Sequence, residues 1–282
     1  MSPTWLLLVP AAMLAWTHLV AVVGFAVQAA DRNVPIGLTP VVLARVSREA
    51  GARMVLGLLG WFAWGAPTPK SGPAPSDSAS SHKGLPVVLV PGMTFNRASL
   101  WPLALYLRKR GVAWVYPIDR LDRAGTLASE AEALATEIGR MRAASGAARV
   151  DVVAFSTGGL VVAWYLRHHG PHAVRRLVTI ATPWRGTRLA VFGRGRAVEE
   201  IRYGSHVLDD LWPPPVPCTC VYSTDDPVVV PSDSAVPAHA ADAVRVDEAG
   251  HMELLLSARV YRSVLAAIEQ PTMVEPDAEP AA

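Results

Sequence analysis

Cysteine is scarce in this sequence, which holds only Cys218 and Cys220 among 282 residues. A disulfide framework needs more cysteines than this, and zinc sites need several ligands at set spacings. Two residues apart on a predicted strand, the two thiols share one face of it but are poorly placed to bond each other. The sequence therefore predicts two ordinary buried thiols, with neither a disulfide framework nor a zinc site.

Charged residues are also few, at 18% of the chain, and the formal net charge is only +2. No long basic run occurs, so the sequence lacks the electrostatic footprint of a nucleic-acid-binding protein. Hydrophobic residues are plentiful at 51%, with the excess at the N-terminus. This length is sufficient for one α/β domain with appendages.

The N-terminal stretch from Trp5 to Ala30 contains no Asp, Glu, Lys or Arg. As a helix its 26 residues would extend about 39 Å, enough to cross a bilayer core of about 30 Å. A cleaved signal peptide, and hence a secreted protein, is the alternative, but no basic residue precedes the apolar stretch. We favour an uncleaved helix within an N-terminal membrane-anchoring region, 1–65.

A second apolar run, from Met54 to Trp64, is too short to span a membrane alone. It fits an interfacial helix, a second membrane helix or a helix packed on the globular domain. The preceding Arg45, Arg48 and Arg53 argue weakly for a cytoplasmic catalytic domain. Export would reverse that orientation, so the sequence leaves the membrane side open.

Segment 66–84 is rich in Pro, Ser and Gly and almost devoid of bulky apolar residues, which predicts a linker. Alternating strand and helix patterns follow over 85–270, and 271–282 has the composition of a disordered acidic tail. The alternation predicts an α/β domain with a mostly parallel, doubly wound sheet flanked by helices. Predicted strands are 86–91, 112–116, 150–153, 174–180, 216–222 and 243–246, and predicted helices include 98–110, 126–142 and 253–268.

The most informative stretch is 149–169, where a buried strand, a small-residue turn and an apolar helix follow one another. Ser156 lies in the turn, with Ala154 and Gly158 two places away on either side. Small residues there allow strand and helix to approach closely, so that the serine is held in a strained conformation at the sheet edge. A Ser-Gly turn that merely caps a helix is the simpler alternative.

The A-x-S-x-G pattern at Ser156 resembles the nucleophile elbow of the α/β-hydrolases, in a form found in some bacterial lipases. A second stretch, 182–190, is similar to the T-P-x-x-G-T-x-x-A segment of bacterial triacylglycerol lipases and related esterases. The resemblance covers about 85–268 and implies the α/β-hydrolase fold, with a small lid near 184–212. The arginines of that lid segment fit either an anionic lipid interface or a solvated basic face; they are Arg185, Arg188, Arg194, Arg196 and Arg202.

A serine nucleophile needs a histidine base, itself oriented by a carboxylate, and in this superfamily the order is Ser, acid, His. Asp226 begins a D-x-V-V-x-P pattern similar to the acid turn of lipases, with its neighbour Asp225 as the second choice. His251 lies in a Gly-His turn after the last predicted strand, as the resemblance requires. His239 is the one serious rival, but it precedes a strand.

The oxyanion of the transition state needs fixed N–H donors. The resemblance assigns one to the backbone of Thr157, directly after the nucleophile. The other would be the N–H of Met93, because Pro91-Gly92-Met93 resembles the H-G-x oxyanion loop of lipases, with Pro91 in place of the histidine.

Together these residues imply a carboxylic-ester hydrolase of lipase or esterase type that works through an acyl-enzyme and needs no metal or organic cofactor. Its partners would be an ester or lipid substrate and a membrane. A lipid acyltransferase that uses the same triad and a catalytically inactive, membrane-tethered binding module are the alternatives. The sequence carries no signal for acyl-chain length, headgroup or oligomeric state.

Overall fold

A computed structural model of the chain describes residues 5–35, 37, 39–62, 85–93, 95–119, 125–237, 240 and 242–271. The predicted linker 66–84 lies outside the described residues, as do His239 and all but the first residue of the predicted tail. Predictions for those segments remain predictions.

In the described residues six strands form one parallel sheet, as the alternating pattern predicted. The strands are β1 (Val87–Val90), β2 (Val115–Pro117), β3 (Val150–Phe155), β4 (Val174–Ile180), β5 (Cys218–Tyr222) and β6 (Asp242–Arg245). Their spatial order is β2-β1-β3-β4-β5-β6, and every neighbouring pair is parallel. After β2 the chain crosses back past β1 to form β3. The sheet therefore grows in one direction from β1 to β2 and in the opposite direction from β1 to β3 and beyond.

Seven α-helices occur in the described part of the chain. They are α1 (Trp5–Asp31), α2 (Pro40–Phe62), α3 (Trp101–Lys109), α4 (Leu127–Ser145), α5 (Thr157–His169), α6 (Arg196–Glu200) and α7 (Ala258–Glu269). Short 3-10 turns connect several of them, at Arg97–Leu100, Arg188–Phe192, His206–Leu208, Ser232–Ala235 and Glu253–Leu256.

Two helices begin later than the apolar spacing predicted. The predicted helix 253–268 is a 3-10 turn followed by α7, because Ser257 caps α7 by accepting a hydrogen bond from the Val260 N–H. Likewise α3 starts at Trp101 after a 3-10 turn, with a proline in its first turn. Apolar periodicity marked the helical region correctly but not the point where regular α-helix starts.

The sheet is buried on both faces, which explains why its strands read as continuous apolar runs. On one face, Leu89 and Phe155 pack in a cluster with residues of α2, α3 and α7. On the other, Val88 and Val152 pack with residues of α4 and α5. Strand residues alternate between the two clusters, as side chains of period two must.

The two N-terminal helices pack against each other, with Ala21 of α1 and Val46 and Ala50 of α2 buried between them. Helix α2 also contributes Ala52 and Leu56 to the core of the domain. In the structure α2 therefore packs on the globular domain as well as on α1, and its contact with a membrane stays a prediction.

Helix α1 is a candidate membrane span. Within the described chain, Ala12–Asp31 is the one helical segment that is long and apolar enough to cross a membrane. In its most apolar stretch, 28% of the residues are buried against the protein. A signal sequence or a soluble core helix can meet the same criteria. Its exposed apolar side chains include Leu14, Trp16 and Leu19.

Candidate active site

The predicted site residues lie at the carboxyl edge of the sheet. Met93 follows β1 and Ser156 follows β3, on either side of the point where the strand order reverses. Asp226 and His251 lie in the loops after β5 and β6. Open parallel sheets bind ligands at such a reversal point, because the loops separate there and leave a crevice.

Ser156 has the strained backbone that a nucleophile elbow requires, with φ 54° and ψ −129°. A positive φ is rare for a residue with a Cβ and costs of order 1–3 kcal/mol, so the surrounding structure must impose it. Close approaches hold the turn. A Cβ on Gly92 would lie 3.0 Å from the Ser156 Cβ, and one on Gly158 would lie 2.6 Å from the Pro91 carbonyl oxygen.

We expect Gly158→Ala to destabilise the protein by about 1–3 kcal/mol, because the added methyl meets backbone that cannot easily move. Gly139→Ala is a matched control, since Gly139 is also helical and a Cβ there has nothing within 4 Å. That substitution should raise the unfolding free energy by about 0.5–1 kcal/mol. Denaturant unfolding of both variants checks this; equal effects would contradict the close packing of the elbow.

A continuous chain of hydrogen bonds joins the three residues predicted as a triad. The His251 Nε2 lies 3.0 Å from the Ser156 Oγ, and the His251 Nδ1 lies 2.7 Å from an oxygen of Asp226. All three side chains are buried or nearly so. With Nδ1–H donated to the carboxylate, Nε2 is free to accept the serine proton.

The two neighbouring aspartates point in different directions. Asp226 directs Oδ2 at His251, while its Oδ1 accepts hydrogen bonds from Val228 N at 2.7 Å and Val229 N at 3.0 Å. Asp225 instead contacts Arg45 of α2 at 3.0 Å. The carboxylate that meets the imidazole is therefore Asp226, the first choice of the two.

The two predicted oxyanion donors lie next to each other. The Met93 N–H donates to the Thr157 Oγ1 at 2.8 Å, which connects the loop after β1 with the first residue of α5. Gly92 allows this approach, because its backbone runs directly beside the serine. Both predicted donors thus flank Ser156, and the Met93 N–H is hydrogen-bonded to the Thr157 hydroxyl.

Sequence reasoning missed three supporting residues. Thr182 donates its hydroxyl to the Ser156 carbonyl at 2.9 Å. Gln28 of α1 donates to the Asp226 carbonyl at 2.9 Å, and Glu49 of α2 accepts from the Met252 N–H at 2.9 Å. Thr182 belongs to the lipase-like stretch, and Gln28 was visible as a polar residue in an apolar helix. Nothing in the sequence singled out Glu49.

Both cysteines are free, Cys220 buried and Cys218 half-buried. The hydrogen bond with Cys220, together with burial, raises the pKa of the Cys218 thiol well above its usual value, and the same hydrogen bond lowers the pKa of Cys220. In the described part of the chain, no three or more His, Cys, Asp or Glu side chains gather as metal ligands would.

Residues 86–196 match the family model of the alpha/beta hydrolase fold. This segment contains β1, the elbow and the lipase-like stretch after β4. Together with the parallel sheet and the strained turn at Ser156, the match shows that the chain has the α/β-hydrolase fold, as the motifs predicted.

Solved structures of lipases are similar to this chain. Lipase B of Aspergillus fumigatus aligns with a TM-score of 0.59 and 19% identity, over 71% of this chain and 56% of that protein. The mature lipase BlEst2 of Bacillus licheniformis aligns with a TM-score of 0.58 and 17% identity, over 69% of this chain and 96% of that enzyme. A Listeria innocua gene product has a TM-score of 0.54 and 14% identity, over 68% of this chain and 97% of that protein. At these identities the likeness establishes the fold.

Proposed function

We propose that this protein is a membrane-associated serine hydrolase of carboxylic esters, of lipase or esterase type. The observation that carries the proposal is the hydrogen-bonded chain from Ser156 through His251 to Asp226, behind a strained serine at the reversal point of the sheet. The similarity to lipases supports the choice of ester chemistry.

In the first half of the reaction, Ser156 Oγ attacks the ester carbonyl carbon while His251 Nε2 takes the hydroxyl proton. The imidazolium that forms is stabilised by the carboxylate of Asp226, which is buried directly behind it at 2.7 Å. Collapse of the tetrahedral intermediate transfers the proton from His251 to the leaving alcohol. The acyl group then remains on Ser156 as an ester.

In the second half, water gives a proton to the same His251 nitrogen and attacks the acyl-enzyme. Both tetrahedral intermediates carry negative charge on the former carbonyl oxygen. The backbone N–H groups of Met93 and Thr157 would bind that oxygen once the Thr157 hydroxyl has turned aside. Release of the carboxylic acid returns the enzyme to its starting state without any cofactor.

The membrane part of the proposal concerns α1. Its C-terminal half is packed on the protein, since Ala21 is buried and a side chain on Gly24 would collide with Pro227. The 16 residues from Trp5 to Val20 extend about 24 Å, shorter than a bilayer core of about 30 Å. We therefore favour an α1 that dips into the membrane with the half that carries the exposed Leu14, Trp16 and Leu19, while the catalytic edge stays at the surface.

The segment predicted as a lid supports a lipid-facing site. Val191 and Phe192 are about two-thirds exposed in its first 3-10 turn. The preceding Arg188 bridges to Asp31 at 2.8 Å, so the turn that carries this apolar pair is tied to the C-terminal end of α1. Ester substrates with an acyl chain would meet an apolar surface at this position.

Turnover of p-nitrophenyl esters of increasing acyl length by the full chain in detergent micelles tests the proposal. We expect hydrolysis, and addition of an acceptor alcohol should leave the free acid as the main product. Transfer of most acyl groups to the alcohol would identify an acyltransferase. A folded protein that hydrolyses none of the esters would contradict the proposed function and favour a binding module.

A further inference from the structure

The helix pair α1–α2 contacts both loops that carry the triad partners of Ser156. From α1, the Gln28 amide donates to the carbonyl oxygens of Thr224, at 3.1 Å, and Asp226, at 2.9 Å. From α2, Glu49 reaches the loop around His251. The loops that carry Asp226 and His251 must keep their relative position for proton transfer. Both loops are therefore held by the same pair of helices, α1 and α2.

Glu49 is the most buried polar group of that contact, with none of its surface exposed. Its Oε2 accepts the Met252 N–H at 2.9 Å, one residue beyond the imidazole. Gly250, one residue before it, passes so close that an added Cβ would lie 2.5 Å from the same oxygen. The carboxyl group thus touches the backbone on both sides of His251.

A second contact supports the same loop from its outer side. The Gly250 N–H donates to Glu253 at 2.8 Å, and Glu253 pairs with Arg48 of α2 at 2.9 Å. Arg48 also donates to the Glu248 carbonyl at 2.9 Å. Helix α2 therefore holds the His251 loop through two consecutive residues: Arg48 contacts its exposed side and Glu49 contacts its buried side.

The inner carboxyl is costly to bury. Loss of hydration raises the pKa of Glu49 to about 7, against opposing effects of Arg53, His251 and the Met252 N–H, while Asp226 raises it further. Stability is therefore lost as pH rises from about 4.5 through 7, where the folded protein must give up a proton that the unfolded chain has already lost. Arg53, one turn further along α2, pairs with the other oxygen of Glu49 at 3.4 Å and offsets only part of this cost, since the pKa stays raised.

We propose that Glu49 is a positioning residue for His251: it fixes the imidazole through the backbone of its loop, and its charge favours the imidazolium formed during catalysis. This inference rests on the proposed function and extends the site to a helix predicted only as part of a membrane-anchoring region. The charge that is unfavourable in the resting protein becomes favourable when a buried cation appears beside it.

Three variants of the full chain in micelles test the inference. Glu49→Gln keeps an acceptor for Met252 but removes the charge, and we expect kcat to fall about tenfold with KM within twofold of wild type. Glu49→Met keeps the side-chain length but removes the oxygen, and kcat should fall about a hundredfold. Glu137→Gln is the control for loss of a helical carboxylate away from the site: it breaks the pair of Glu137 with Arg140 on α4 and should leave kcat unchanged.

The pH profile separates positioning from mere support of the fold. The charged groups around Glu49 are Arg48, Arg53, Asp226, His251 and Glu253. Loss of a nearby anion lowers the pKa of an imidazole. In Glu49→Gln the acid limb of kcat/KM should therefore move to lower pH by about half a unit. Its melting temperature should exceed that of wild type at pH 8, and the difference should vanish below about pH 4.5.

Wild-type kcat and an unmoved acid limb in Glu49→Gln would overturn the inference, even if Glu49→Met does not fold. If wild-type protein neither hydrolyses esters nor reacts with a fluorophosphonate, the proposed function fails instead. NMR titration of the His251 ring then tests the inference alone. A ring pKa lower in Glu49→Gln than in wild type supports it, and an unchanged ring pKa overturns it.

Discussion

Ser156→Ala is expected to lower kcat for p-nitrophenyl esters by about 10⁴- to 10⁶-fold. The substitution removes the oxygen that attacks the carbonyl and leaves only what the oxyanion donors and binding supply. Because the side chain is small and the strain lies in the backbone, the variant should remain folded. Initial rates of full-length wild type and variant, at matched concentrations confirmed by circular dichroism, measure the effect.

A matched control is Ser99→Ala, which removes the hydroxyl of another buried serine. Ser99 donates to the Asn96 carbonyl at 2.9 Å and lies outside the site. Its variant should lose some stability and keep its turnover. A Ser156→Ala protein whose kcat stays within tenfold of wild type would remove this serine from the reaction.

Asp226→Asn should lower kcat by about 10⁴-fold, because an amide cannot hold the imidazole in the tautomer that accepts the serine proton. Neighbouring Asp225 gives an internal comparison, since it contacts Arg45 and the Glu248 N–H instead of the imidazole. Asp225→Asn keeps an acceptor oxygen, so its kcat should stay within about threefold of wild type. Steady-state kinetics of both variants under one set of conditions decide between the two aspartates.

The pattern of losses is the informative outcome. A large loss in Asp226→Asn alone agrees with the hydrogen bond of 2.7 Å to His251. If Asp225→Asn shows the larger loss, the acid loop must rearrange during catalysis and Asp225 would be the acid. Equal large losses would show that the loop as a whole is required, and would contradict a specific role for Asp226.

The part of the site that was predictable from sequence is the part encoded locally. Ser156 lies between a strand and a helix with small residues at fixed offsets, and steric contact alone dictates that arrangement. Asp226 and His251 each follow a strand of a parallel sheet, whose carboxyl ends share one edge. Local pattern together with sheet topology therefore places three side chains that are far apart in sequence.

The docking of α1 and α2 could not be predicted in this way. Gln28 is 198 residues from Asp226, and Glu49 is 203 residues from Met252. Such contacts depend on how the N-terminal helix pair packs on the folded sheet domain. The spacing of apolar residues along the sequence carries no information about that packing. Hydropathy described α1 as a membrane helix, yet one of its faces also carries a hydrogen bond to the acid loop. Apolar composition does not separate burial in lipid from burial in protein.

The most direct test of the account is mass spectrometry of the full-length protein after reaction with a fluorophosphonate. Cleavage after Arg149 and Arg167 releases peptide 150–167, in which Ser156 is the one serine. We predict a single adduct on that residue and none in Ser156→Ala. Unmodified peptide from folded wild-type protein, or an adduct on another residue, would contradict the claim that Ser156 is an activated nucleophile.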